Sequence, residues 1–254
     1  LSRIVPCPVL LSEKGWVRAA KGHDIGPEGL SYKAGDRFSL AARGRNNQQA
    51  IFLDSTGRAY SLMAHSLPSA RGQGEPLTGR INPPSGASFS GLLMGDPSRK
   101  ALLVTDGGYG FVTSLNDMIS KNRNGKAVVS VPKGARIMAP VVIPSTEKTL
   151  YLGAVSNEGR MLVFPLSELP ELAKGKGNKI ISIPSARVQN REEYVVAVAV
   201  FAEDDQLEVR AGTPKMGRQF SDLAHSLGER ARRGHKPPRG LTRGAGHDVI
   251  PTAA

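Results

Sequence analysis

The chain has 254 residues, including 29 glycines and 18 prolines, and its 34 lysines and arginines outweigh 22 acidic residues for a formal charge of +12. That excess favours polyanionic partners, nucleic acid first and an anionic membrane surface second. The single cysteine, Cys7, excludes an internal disulfide framework and a cysteine-based zinc site, and fits a reducing compartment. No apolar run is long enough to span a membrane and no signal peptide opens the chain, whose start in an apolar stretch at Leu1 reads as a fragment of a larger protein.

In chain order, short apolar segments bounded by turn residues predict strands at 8–11, 16–18, 37–42, 50–53, 59–63, 92–94, 101–104, 110–113 and 127–131. Further strands are predicted at 150–155, 161–164, 180–183, 195–201, 206–209 and 217–220. Leu-containing stretches after four hairpins (Leu67-Pro68, 115–119, 166–169 and 223–227) read as turns or single helical turns. Helical periodicity is otherwise absent, so the fold class is all-β. Residues 1–234 read as one domain and 235–254 as a basic, Pro/Gly-rich tail in which Val249-Ile250 adds a closing strand and the rest is flexible.

A repeat selects the architecture. Hairpins ending in Gly15, Gly57, Gly108, Gly159 and Gly217 recur at separations of 42, 51, 51 and 58 residues. The last four are trailed by basic loops, Arg71-Gly72-Gln73-Gly74, Asn122-Arg123-Asn124-Gly125-Lys126, Lys174-Gly175-Lys176-Gly177 and Arg230-Ala231-Arg232-Arg233-Gly234. The first is irregular, with Lys21-Gly22 close by and Arg43-Gly44-Arg45 further on. A unit of about fifty residues holding three or four strands is the size of one propeller blade, so five anchors imply five blades.

Enzymatic machinery is missing from the pattern. There is no Gly-x-Ser-x-Gly elbow, no His-Glu-x-x-His, and Gly125-Lys126 is followed by Ala127 rather than a P-loop hydroxyl. His23, His65, His225, His235 and His247 lack metal-ligand spacing, the tyrosines read as packing, and Glu192-Glu193 and Glu203-Asp204-Asp205 read as solvated turns. No catalytic residue and no metal ligand is assigned. The basic loops do carry chemistry: glycines let backbone amides approach a phosphate while flanking cations supply charge, with strong salt dependence. Five such loops would form a discontinuous positive belt around a disc. Arg58, Arg160 and Arg218, each following an anchor glycine, either add phosphate contacts or pair with a carboxylate across the strands.

Several stretches resemble the C-terminal domain of the A subunit of bacterial topoisomerase IV. They include Ser12-Glu13-Lys14-Gly15-Trp16-Val17-Arg18, Asp54-Ser55-Thr56-Gly57-Arg58 and Leu67-Pro68-Ser69-Ala70-Arg71-Gly72-Gln73-Gly74-Glu75-Pro76-Leu77. Gly108-Tyr109-Gly110-Phe111-Val112 and Lys174-Gly175-Lys176-Gly177-Asn178-Lys179 extend the match, which runs from about residue 5 to residue 234. The resemblance implies a five-bladed β-pinwheel whose blades exchange strands, noncatalytic in itself, that binds and bends duplex DNA for decatenation and relaxation. The related gyrase protein carries a Gln-Arg-Arg-Gly-Gly-Lys-Gly box for chiral wrapping; no such heptapeptide occurs here.

The phosphate contacts expected are Lys21, Arg43, Arg45, Arg71, Arg123, Lys126, Lys174, Lys176, Lys179, Arg230, Arg232 and Arg233. The resemblance further implies no cofactor in this domain, with ATP and Mg used by other regions of the parent enzyme. Its implied partners are duplex DNA, the N-terminal catalytic region of the same polypeptide and the ATPase subunit of a heterotetramer, the isolated domain being a monomer. Its implied location is the bacterial cytoplasm on the nucleoid, with peripheral membrane association possible in the family. Two other classes stay open on the residues alone, a protein-interaction propeller with an incidental basic rim and an enzyme with a central-channel site.

Overall fold

The computed structural model describes residues 3–22, 29–211, 215–218, 228–235 and 247–252. It separates into two compact units, one of Leu1–Ala101, Thr113–Ser130 and Ala173–Gly175, the other of Leu102–Val112, Val131–Leu172 and Lys176–Ala254. Apart from short helical turns it is all β, as the composition of its segments predicts.

The first unit opens with hairpin β1 (Val9–Ser12) and β2 (Trp16–Ala19), followed by β3 (Phe38–Ala42). A second hairpin, β4 (Gln49–Asp54) and β5 (Arg58–Met63), precedes the two-residue β6 (Glu75–Pro76) and then β7 (Phe89–Leu93). The next hairpin, of which Leu102–Val112 belong to the second unit, is β8 (Lys100–Thr105) and β9 (Tyr109–Ser114); it is followed by the two-residue β10 (Lys126–Ala127) of the first unit and β11 (Val141–Val142) of the second. In the second unit β12 (Leu150–Ser156) and β13 (Met161–Pro165) form a hairpin, followed by β14 (Asn178–Lys179) and β15 (Val195–Ala202). The last strands are β16 (Gln206–Ala211), β17 (Lys215–Arg218) and β18 (His247–Thr252).

These strands make five antiparallel sheets among the described residues, ordered β3-β1-β2-β6, β10-β5-β4-β7, β11-β8-β9-β14, β13-β12-β15 and β17-β16-β18. Strands at the heart of a sheet are buried on both faces: β1 is buried throughout, and β4 and β8 at every position but the first. This is why they read as continuous apolar runs rather than alternating ones.

In three of the described hairpin turns the first residue is a small polar acceptor that caps the turn, whereas Thr105 Oγ1 donates to Tyr109 O at 3.5 Å. Ser12 Oγ accepts from Trp16 N (3.0 Å) and Ser156 Oγ from Arg160 N (3.3 Å). Buried Asp54 accepts from Thr56 N, Thr56 Oγ1, Arg58 N and, at 2.7 Å, from Tyr60 Oη. Burial and that hydrogen bond together push the Tyr60 phenol well above its usual range. The predicted helical turns are present at Ala64–Ser66, α1 (Leu115–Met118) and Leu166–Glu168. They drop Leu67, Leu115 and Leu166 into the core. The stretch 223–227 lies outside the described residues, as do His23 and His225.

Several elements differ from the sequence reading: β6, β11 and β14 match no predicted strand, and the predicted strand 127–131 is only β10. The predicted strand 180–183 is instead a buried bend after β14, and α2 (Ser185–Gln189) was not anticipated. Glu193 is not a solvated turn residue. It is fully buried, with Arg187 Nε at 3.1 Å and Arg233 Nη2 at 2.9 Å from its carboxylate. A buried carboxylate is tolerable only with such partners. The Val249-Ile250 run lies within β18, which pairs with β16 over six residues.

Candidate nucleic-acid interface

The short strands β6, β10 and β14 place the basic loops, because each pairs with the hairpin of the preceding repeat rather than its own. Glu75 and Pro76 pair with Val17 and Trp16, Lys126 and Ala127 with Ala59 and Arg58, and Asn178 and Lys179 with Gly110 and Tyr109. In the fourth instance Met161 and His235 exchange both backbone hydrogen bonds, at 2.7 and 2.8 Å. Strand exchange therefore carries each loop to the sheet one repeat earlier.

The loop glycines are required by this exchange. Gly74, Gly125, Gly177 and Gly234 all have positive φ. A β-carbon on them would lie 2.4, 2.5, 2.2 and 3.0 Å from the carbonyl oxygens of Val17, Ala59, Gly110 and Met161 respectively. The anchor glycines return the contact, their carbonyls accepting from Leu77 N (at Gly15), Val128 N and Val129 N (at Gly57) and Ile180 N (at Gly108). Their recurrence thus has a packing cause independent of any ligand.

Successive loops are also tied to one another. In the first unit Asn82 N donates to Arg123 O (2.8 Å), and Ser130 N to Gly175 O (2.9 Å). In the second, Ala231 N donates to Ile180 O and Ser182 N to Arg232 O, at 2.9 and 2.8 Å. The basic side chains ride on this backbone framework.

Arg71, Arg123, Lys174, Lys176 and Arg232 are exposed, while Lys126, Lys179, Arg230 and Arg233 are half-buried. Arg123 reaches Gly79 O at 3.2 Å, Arg230 Nη1 reaches Lys179 O at 2.7 Å, and Arg232 pairs with exposed Glu229 at 2.7 Å. Lys176 Nζ lies 4.4 Å from the centroid of the Tyr109 ring. Arg233 is the most committed of the set, donating to Ser182 O at 2.6 Å besides its pairing with Glu193.

The irregular first unit also gathers its cations. Gly22 N donates to Pro6 O, Cys7 N donates to Gly44 O, and Pro6 bridges to Arg45. This brings the exposed Lys21 and the exposed Arg43 and Arg45 to the two sides of residues 5–7. Exposed Arg3 joins them, its carbonyl accepting from Asn46 Nδ2 at 3.1 Å. Burial pushes the Cys7 thiol up, and the charge of Lys21 pulls against it.

Sequence reasoning missed what the arginines after the anchor glycines do. Arg58 Nε and Nη2 donate to Asn124 O (2.9 Å) and Gly125 O (3.1 Å), and Arg160 Nη1 to Gly234 O (3.2 Å). These partners are carbonyls of the basic loops, not carboxylates. The recurrence itself was visible in the sequence; its partner, 66 to 74 residues away, was not. The side chain of Arg218 is outside the described residues. Among the described residues no cluster of three or more His, Cys, Asp or Glu could hold a metal ion, and no helix is long and apolar enough to cross a membrane.

All-β sheets that trade short strands between repeats define the propeller-type class. A family model described as "DNA gyrase C-terminal domain, beta-propeller" matches residues 100–144 and 154–202. The solved C-terminal domain of Escherichia coli ParC superposes with a TM-score of 0.88 at 45% identity, covering 98% of this chain and 100% of that one. The chain belongs to the family formed by the C-terminal domains of topoisomerase IV A subunits. The A subunit of DNA topoisomerase 4 from Pseudomonas aeruginosa is 55% identical over 238 residues, 94% of this chain. The chain spans 31% of that relative's length. A solved DNA gyrase A C-terminal domain shares the fold at a TM-score of 0.67 and 14% identity.

Proposed function

We propose that this domain binds duplex DNA through its phosphate backbone and bends it, presenting a segment to the catalytic core of a topoisomerase IV for decatenation and relaxation of supercoils. The observation that carries the reading is the repeated loop, in which exposed lysines and arginines stand on a glycine clamped to a neighbouring sheet. Fixed cations on a rigid framework suit a regularly spaced polyanion, and contacts of this kind carry no base readout. The absence of the Gln-Arg-Arg-Gly-Gly-Lys-Gly box supports bending without gyrase-like chiral wrapping. In this reading the chemistry belongs to the rest of the enzyme. Its partners are the catalytic region of the same polypeptide and the ATPase subunit of a heterotetramer acting on the nucleoid, with ATP and Mg used outside this domain.

The test is a salt titration of binding to short duplexes of unrelated sequence. With about eight phosphates neutralised, log affinity falls against log salt with a slope of about −7, alike for every sequence. Salt-independent affinity, or no binding at low salt, rejects the reading and favours a protein-interaction module.

A further inference from the structure

We infer that Arg58 and Arg160 are positioning residues that hold the basic loops in their DNA-competent shape, and are not themselves phosphate contacts. The inference rests on the proposed DNA-binding role. Both arginines directly follow an anchor glycine, both are half-buried, and both direct their guanidinium at carbonyls of the loop that strand exchange delivers. Carbonyl oxygens on a loop oppose an approaching phosphate. A guanidinium seated on them cancels that partial charge and fixes the turn, while Arg123 and Arg232 on those loops stay exposed.

The remaining described hairpins support the assignment by replacing the device rather than dropping it. In the first hairpin the position after the glycine is Trp16, covered by Lys33 at 3.7 Å. There the staple moves two residues on, to buried Arg18, whose Nη1 donates to Gly72 O at 2.8 Å. In the third hairpin the position is Tyr109, and the cation comes from the loop itself as Lys176. Each of these four hairpins therefore ties its incoming loop with one cationic contact, and the loop supplies the cation only where the hairpin lacks an arginine.

Arg58→Lys separates the two roles, because lysine keeps the charge but cannot serve two carbonyls with a planar fork. With the 254-residue chain and a short duplex, Arg58→Lys is expected to weaken binding about five- to tenfold, in line with loss of a charged hydrogen bond. It is expected to speed amide exchange at Gly125 without DNA present. In an Arg123→Ala/Lys126→Ala background the same change is expected to add nothing, since contacts acting as one unit are not additive.

Wild-type affinity in Arg58→Lys, or a full additive loss in that background, overturns the inference. Should Arg58→Lys fail to fold by circular dichroism, Arg160→Ala, which removes the single bond to Gly234 O, gives the same non-additivity test in an Arg230→Ala/Arg232→Ala background, with Gly234 as the exchange probe. If the wild-type chain does not bind DNA, the functional reading fails. The exchange measurement then still decides whether the staple holds the loop, unchanged exchange overturning it.

Discussion

Gly177 and Gly110 pack backbone against backbone: a β-carbon on Gly177 would stand 2.2 Å from the Gly110 carbonyl oxygen. Gly177 also holds φ at +81°, where an L side chain is strained. Gly177→Ala is therefore expected to destabilise the domain by about 2 to 4 kcal/mol, from left-handed strain plus the displaced strand. Urea unfolding measures it. A cost near zero would mean that β14 is not clamped as described.

Charge reversal at Arg71 and Arg123, exposed and on two successive loops of the first unit, is expected to weaken binding to all duplexes equally and to flatten the salt slope by about two, close to one per phosphate contact. Arg123 also bonds Gly79 O, so a stability control accompanies the titration. Sparing of one duplex sequence would show base readout instead.

Arg232 and Arg233 are neighbours with opposite duties. Arg232 meets Glu229 in the open, the two side chains 72% and 78% exposed, whereas Arg233 meets a Glu193 side chain only 1% exposed. Arg233→Ala leaves a buried carboxylate short of one partner and is expected to cost about 3 kcal/mol. Arg232→Ala is expected to change stability by less than about 0.5 kcal/mol. Thermal unfolding of the two variants compares them directly, and equal stabilities would contradict the buried pairing.

Tyr60 links stability to alkaline pH. Its phenol is raised above the ordinary 10.0 by burial, then by its bond to Asp54, so the folded state keeps a proton that the unfolded chain releases. The resulting stabilisation is fully present below pH 10.0 and is lost progressively as pH rises above it. Tyr60→Phe is expected to cost about 1 to 2 kcal/mol at neutral pH and to flatten the decline above pH 10.0. Parallel alkaline unfolding curves for the two proteins would refute the assignment.

The amino-acid sequence by itself determined the all-β class, the repeat of glycine hairpins, and the turns that bury Leu67, Leu115 and Leu166. Each is a local effect: a turn residue or an apolar run speaks within a few positions of itself. The candidate cations were legible for the same reason, as charge beside glycine. Only the tertiary structure decided which sheet receives each loop, because two-residue strands such as β10 and β14 have no period to read and are held by partners from another repeat. It also decided that Glu193 is buried and that Arg58 donates to carbonyls of a loop from another repeat. Those outcomes depend on contacts 40 to 67 residues apart. A charge written in sequence carries no sign of whether a far segment will enclose it or leave it in water.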